Sequence, residues 1–366
     1  MPWLILFGGL IIVAVLGFFY LVTRFHRFSF MTKLGKKHRV LSWGLSLLPV
    51  GAIFLFNMIN MWATIIVMLH LMLIWAVCDI IAFFRRVSKK KPKGEKYYTG
   101  VIAIAATAVY MSMGWFFAHH VFEKHYTFYT DKDLGRSELR IAAFADAHLG
   151  ITLDKDNFRE QIDRINASSP DIVLIVGDFV DDDSAKEDMV EACKALSELR
   201  STYGTYFVFG NHDKGYYDYR DFSSGDLRRE LKKNGVTILE DEDLLFDDKF
   251  YLVGRQDKSK INRMDIDKLT AGIDKSKYMI CLDHQPNDYA AETAAQMDLV
   301  ISGHTHGGHI FPAGYIGLLM GANDRFYGTE VRDGTTFVVS SGISGWAIPF
   351  KTGAISEYLV IDIKER

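Results

Sequence analysis

Apolar residues are distributed in two patterns along this chain. Before residue 123 they form four long runs, at residues 2–23, about 40–59, 61–84 and 99–118; after residue 138 they form short runs alternating with helical stripes. The first run, "PWLILFGGLIIVAVLGFFYLVT", carries no charge and as a helix would be about 33 Å long, enough to cross a bilayer. Its basic residues follow the apolar stretch and no small-residue cleavage site ends it, so the pattern predicts a membrane helix rather than a cleaved signal. The fourth run, "TGVIAIAATAVYMSMGWFFA", is rich in Ala, Gly and Ser, which permit close helix packing in lipid. Four spans are expected. The second is interrupted by Gly44, Pro49 and Gly51, and residues 57–63 leave little chain for a turn. Within the spans, His70 lies near mid-membrane, as a functional candidate or a helix–helix hydrogen-bonding group, and Asp79 is expected to snorkel toward the basic end.

From residue 138 the short runs read as strands. "LRIAAFAD" ends at Asp146, "DIVLIVGD" at Asp178, "TYFVFGN" at Asn211, "YMICLDH" at His284 and "DLVISGH" at His304. Between them, Phe158, Ile162 and Ile165 fall at helical spacing, as do Met189, Cys193, Leu196 and Leu199, and then Leu227 and Leu231 before Gly235. These stripes predict core-facing helices. "TTFVVSSGISG" and "SEYLVIDIK" read as two closing strands. The pattern is that of an α/β domain with polar groups collected at the carboxyl ends of its strands, where such folds place their sites. The expected division is a helical membrane domain over residues 1–122, a linker over 123–137 that follows the membrane surface, and an α/β domain over 138–366.

Charge orients this arrangement. Arg24, Arg27, Lys33, Lys36, Lys37 and Arg39 follow the first run, and Arg85, Arg86, Lys89, Lys90, Lys91, Lys93 and Lys96 follow the third. The positive-inside rule places both basic linkers in the cytoplasm, and four spans then put the α/β domain outside an enveloping plasma membrane. A miscount by one span would place it inside. Residues 1–130 hold 14 Lys plus Arg against 3 Asp plus Glu, which leaves 28 against 42 in the remainder of a chain whose formal net charge is −3. So acidic a surface does not attract extended nucleic acid, whereas small phosphates paired with cations stay open. Cys193 and Cys281 have no CxxC spacing and read as buried thiols.

The chemistry is concentrated in a few short stretches. "FADAHLG" puts Asp146 and His148 two apart, on one side if strand geometry continues through them. "VGDFVDDD" offers Asp178, "FGNHDKG" offers Asn211, His212 and Asp213, "LDHQP" offers His284, and "GHTHGGH" offers His304, His306 and His309. Carboxylate, amide oxygen and imidazole together suit manganese, iron, cobalt or zinc, while calcium would require oxygen alone. Asp181, Asp182, Asp183 and Asp213 read as caps or as partners of ligating histidines.

With DxH, GDxxD, GNHD, a lone His before Pro, and GHTH in this order, residues 138–366 resemble the calcineurin-like metallophosphoesterases, and most closely the membrane-associated branch whose last motif reads GHTHGG. The resemblance implies a two-layer β-sandwich flanked by helices and holding two divalent metals, with manganese the first choice. Carried over by position, Asp146, His148 and His306 would hold one metal, Asn211, His284 and His304 the other, and Asp178 would bridge them. His212 would stand beside the substrate without binding metal. His309 departs from the family, where relatives often carry Gln. The implied reaction is hydrolysis of a phosphate ester by metal-activated hydroxide, with the two cations about 3.5–4 Å apart.

The aromatic stretch "GYYDYRDF" (215–222) and the apolar stretch "YIGLLMG" (315–321) could receive a lipid chain, rest on the bilayer or pack as ordinary loops. A tethered site beside them points to a phosphodiester or a lipid-linked envelope phosphate. Three other readings stay open: a hydrolase of the UDP-2,3-diacylglucosamine type if the domain faces the cytoplasm, a catalytically silent scaffold, and a transporter or sensor with a phosphoesterase appendage.

Overall fold

All five residues of the strand Ile172–Val176 are buried, and they divide between two cores. Ile172, Leu174 and Val176 enter one, while Val173 and Ile175 enter the other. A β-strand turns successive side chains to opposite faces, so an unbroken apolar run implies cover on both sides. The rest of the domain supplies that cover. The computed structural model describes residues 15–55, 60–88, 97–217 and 219–366. The chain divides into two compact units, Met1–Gly114 and Trp115–Arg366.

The first unit is helical: α1 (15–26), α2 (Ser29–Gly35), α3 (Arg39–Leu55), α4 (Met61–Ser88) and α5 (Tyr98–His119), the last of which continues into the second unit. Among the described residues, two helices are long and apolar enough to cross a membrane: residues Met61–Val87 of α4, and α5. This differs from the four spans expected. Most of the first run, residues 2–14, and the end of the second, residues 56–59, lie outside the described residues, and the remainder of the second is the 17-residue α3 with Pro49 inside it. Asp79 meets the basic residues that follow the first run. It is ion-paired with Arg24 and, at 3.7 Å, with Arg27, and accepts a hydrogen bond from Tyr20 at 3.0 Å. His70 is buried and its Nδ1 lies 2.8 Å from Ile66 O one turn back, a contact within its own helix.

The second unit has the order β1 (Val121–Thr130), β2 (Glu138–Phe144), α6 (Lys155–Ala167), β3 (Ile172–Val176), α7 (Lys186–Leu196), β4 (Thr205–Val208), α8 (Ser224–Lys233), β5 (Val236–Ile238), β6 (Glu242–Phe246), β7 (Phe250–Gly254), α9 (Ile266–Leu269), β8 (Tyr278–Leu282), α10 (Tyr289–Ala294), β9 (Leu299–Ser302), α11 (Ala313–Leu319), β10 (Gly328–Arg332), β11 (Thr335–Val339) and β12 (Ser356–Glu365). One sheet runs β1-β12-β2-β3-β4-β5 and the other β10-β11-β9-β8-β7-β6. In the first, β2 to β5 are parallel, β12 is antiparallel to β2, and β1 is parallel to β12. In the second, β7, β8, β9 and β11 are parallel, with antiparallel strands at both edges.

Between the sheets lie Ile141, Leu174 and Val208 from one side and Leu252, Ile280 and Ile301 from the other. The expected helical stripes cover the outer face of the first sheet: Phe158, Ile162 and Ile165 on α6, Met189, Cys193 and Leu196 on α7, and Leu227 and Leu231 on α8. Leu199 lies beyond the end of α7 and packs on the margin of that core. The small helices α9 and α10 cover the second sheet through Ile266, Leu269 and Tyr289. Fully burying each such aliphatic side chain contributes about 1.5–3 kcal/mol. The result is a two-sheet sandwich with helices outside both sheets. One segment departs from the sequence reading: residues 121–130, most of which were assigned to the linker, form an edge strand with ten pairs to β12.

Candidate metal centre

Each polar group singled out in the sequence lies just past a parallel strand. β2 stops at Phe144, β3 at Val176, β4 at Val208, β8 at Leu282 and β9 at Ser302, and Asp146, Asp178, Asn211, His284 and His304 follow within two or three residues. The two sheets therefore bring their carboxyl-end loops to one place. Strand geometry does not carry the DxH pair, contrary to the sequence reading. Asp146, His148, Asp178, His304 and His306 all have positive φ, from 35° to 70°. Left-handed backbone costs non-glycine residues energy, and here five residues that bring donors to the site adopt it.

Close packing fixes those loops. A Cβ on Gly210 would sit 2.1 Å from Asp178 Oδ1, so only glycine lets the GNHD turn approach that carboxylate. Backbone N–H groups of His304 and His212 donate to Asp146 (3.0 Å) and to Asp178 Oδ1 (2.8 Å). Asp213 is fully buried, and its carboxylate accepts from the N–H groups of Asp178, Phe179, Val180 and Gly210. It therefore ties the GD loop to the GNHD loop.

Two donor sets result. Asp146 Oδ1, His148 Nε2 and His306 Nε2 surround one point, with separations of 3.2 Å between the nitrogens and 3.7 and 4.0 Å to the carboxylate. Donors about 2.1 Å from a shared ion lie about 3.0–3.4 Å apart, so the nitrogen pair is at ligand spacing and the carboxylate slightly wide. In the other set, the ligand atoms of Asp178, His284 and His304 lie within 4.8 Å of one another. His284 Nδ1–H donates to Val176 O at 2.7 Å, which turns Nε2 to Asp178 Oδ2, 3.0 Å away. The same Oδ2 lies 3.8 Å from His148 Nε2. Asn211 donates its amide N–H to Tyr216 Oη at 2.9 Å, leaving its Oδ1 buried without a hydrogen-bond partner. Buried acceptors are seldom left unpaired, so the orphaned Asn211 oxygen and His284 Nε2 fit a bound cation.

Burial opposes charge on all four histidines, but Asp178 outweighs it at His284 and raises that group well above its ordinary value, and Asp181 and Asp178 likewise raise His148. Burial, reinforced by neighbouring His284, lowers His304 to about 4. Burial, with His148 and His309 nearby, holds His306 well below the ordinary range. Both therefore present lone pairs at neutral pH. Burial opposes charge on Asp178 too, but His284 and His148 outweigh it and keep the carboxyl ionised. Asp181 sits behind His148, with Oδ2 2.9 Å from Nδ1 in an ion contact off the ideal hydrogen-bond axis. Contact with that nitrogen directs Nε2 toward the centre, which makes Asp181 a support for His148 rather than part of a third site. Asp182 accepts from Tyr216 and Tyr217 N–H, and Asp183 accepts from Tyr219 Oη at 3.4 Å.

His212 stands at the mouth of the centre, its ring 5.1 Å from that of Tyr216 and 5.4 Å from Trp346. Its Nδ1 is buried without a hydrogen bond. His309 is buried beside His306, with ring centroids 5.3 Å apart, outside both donor sets.

Two participants gave no signal in the sequence. Trp346 follows a strand that ended seven residues earlier and reaches the site only through tertiary packing. Lys351 is fully buried and donates to Ser341 O (2.6 Å) and Gly342 O (3.1 Å), fixing the loop whose Gly342 abuts Asp146. Tyr216 reads in the sequence only as part of an aromatic stretch.

Residues 139–308 match the family model described as calcineurin-like phosphoesterase. An uncharacterised metallophosphoesterase of Aquifex aeolicus is 31% identical, over 65% of this chain and 90% of its own length. The chain belongs to the calcineurin-like phosphoesterase family. The chain is also 31% identical to an uncharacterised metallophosphoesterase of Campylobacter jejuni, over 63% of this chain and 60% of that protein. It is 33% identical to a Bos taurus transmembrane protein with metallophosphoesterase domain, over 60% of this chain and 52% of that one. The match thus spans 60% of the Campylobacter protein and 52% of the bovine one.

Proposed function

We propose that this metallophosphoesterase is a membrane-anchored, dinuclear phosphate-ester hydrolase. Asp146, His148 and His306 would hold one divalent ion and Asn211, His284 and His304 the second, with Asp178 reaching both sets. The observation that carries this reading is Asp178 Oδ2, which lies 3.0 Å from His284 Nε2 in one set and 3.8 Å from His148 Nε2 in the other. The mixed nitrogen and oxygen donors favour manganese, with iron, zinc or cobalt as alternatives. Divalent ions held there supply Lewis acidity toward a phosphoryl oxygen and lower the pKa of water to about 7.

The chain's own residues do the rest. His212 borders the centre without a ligand's position and is partly open to solvent, so it delivers a proton to the departing ester oxygen or stabilises its charge. Asp181 holds His148, Tyr216 holds the Asn211 amide, and Asp213 holds the two loops at their spacing. The anchor comprises the helices that precede β1, with α4 and α5 as its spans, and the catalytic domain begins at β1. The basic linkers then put the domain outside the plasma membrane. A site tethered to a membrane supports a phosphodiester or lipid-linked phosphate as substrate.

Purification in detergent with manganese, followed by assays on a monoester, a diester and a lipid-linked pyrophosphate, tests this reading. Hydrolysis of at least one, lost on chelation, is expected. Two bound ions per chain with no hydrolysis of any of the three would overturn it in favour of a silent scaffold.

A further inference from the structure

Helix α11 follows the His306–Gly308 turn of the metal centre and has no buried residue. Its sequence, "AGYIGLL", has no charged side chain on any face. A helix apolar all round is normally enclosed by protein or lipid. This one instead leaves Tyr315 58%, Leu319 87% and Met320 68% exposed, beside exposed Phe311, Ile316 and Leu318. No charge occurs from Ile310 to Asn323. A second uncharged loop, Ile343–Phe350, carries the exposed Trp346, and its continuation packs on the first, with Gly353 against Gly308 O and Phe311 N.

The topology says what covers this surface. β12 is antiparallel to β2 and β1 is parallel to β12, so β1 starts at the end of the sheet where β2 stops, which is the end bearing the ligand loops. Helix α5 enters the domain there, with only His120 between it and β1, and Ser356 Oγ donates to Ala118 O at 3.0 Å to hold the junction. If α5 crosses a membrane, chain connection alone would leave the site end of the sandwich as the end that follows the span.

We propose that α11 and the 343–350 loop form a docking surface for the lipid bilayer that the anchor crosses, so that the metal centre opens at headgroup level. This rests on the reading of α4 and α5 as membrane spans, and it is independent of hydrolytic activity. Interfacial segments of this kind bury apolar side chains about 5–10 Å into the headgroup and acyl boundary.

The test uses the full chain in vesicles of zwitterionic and anionic phospholipid, with Cys78→Ser as background because Cys193 and Cys281 are buried. A nitroxide is placed at Leu319→Cys, in a second preparation at Met320→Cys, and as a control at Leu245→Cys. Leu245 pairs with Tyr251 near the start of β7, at the end of the domain away from the ligand loops. Collision with oxygen exceeding collision with a water-soluble nickel chelate at positions 319 and 320, and the reverse at 245, supports the proposal. Free access of nickel at 319 and 320, or shielding from both reagents as a protein partner or second copy would give, overturns it. Extraction of the same vesicles with alkaline carbonate keeps the two readings apart. Release of the chain removes the spans themselves, whereas retention with a water-exposed label refutes only the docking surface.

Discussion

Five of the seven proposed ligands hold their backbones in the left-handed region, and this is the residue-scale cost of the site. Contacts over-determine the strain: the Asp213 carboxylate takes four N–H groups, and Gly210 brings the GNHD turn against Asp178. Individual side chains then separate by role. Asp178 joins the two donor sets, so Asp178→Ala is expected to lose bound ions and activity together. His212 touches neither set as a ligand, so His212→Ala should keep its ion content and lose about 10²–10⁴ in rate. Ion content by elemental analysis beside turnover of an ester checks both, and a His212→Ala protein with full activity would remove that residue from the chemistry.

At the scale of elements, strands are placed by alternation and locked by their polar ends. The sequence pattern located β2, β3, β4, β8 and β9 because each is an apolar run ending in a polar group. It missed β1, whose polar and aromatic residues read as a linker; the pairing of this strand with β12 depends on a partner more than 200 residues away, which no local pattern records. β12 is clamped to β2 by Arg140, whose Nε and Nη2 donate to Asp362 at 2.7 and 3.1 Å. That hydrogen-bonded guanidinium, against a smaller opposing effect of burial, holds Asp362 below the usual carboxylate range. A depressed carboxyl contributes stability that is present above an unfolded value of about 3.9 and lost as pH falls through the folded value. Asp362→Asn is accordingly expected to cost about 1 kcal/mol at pH 7, reduced by the partial exposure of Arg140. Thermal melts of parent and variant should differ at pH 7 and converge toward pH 3; a gap independent of pH would assign the loss to packing.

For the whole molecule, two buried carboxylates and four histidines converge from loops of both sheets, so a cation couples to the stability of the entire sandwich. Saturation at 100 times the dissociation constant adds about 2.7 kcal/mol to the folded state. Chelation should therefore lower the melting temperature of the domain, manganese should restore it, and Asp178→Asn should abolish most of the response. An identical melt with and without chelator would argue against ion binding at this centre. The molecule also divides its charge, with a basic first part over residues 1–130 and an acidic remainder.

By itself the sequence determined the class of fold, the order of the strand-end motifs and the donor chemistry, because apolar alternation and residue type are local properties. It also marked the long apolar runs, two of which form helices long and apolar enough to cross a membrane. Tertiary structure decided the rest. Which nitrogen of His284 faces inward depends on Val176 O, the direction of the Asn211 amide on Tyr216, and the edge position of β1 on β12. Trp346 and Lys351 joined the site by the same route. Each of these depends on contacts between residues far apart in the chain, and such distances are set only when the two sheets close on one another.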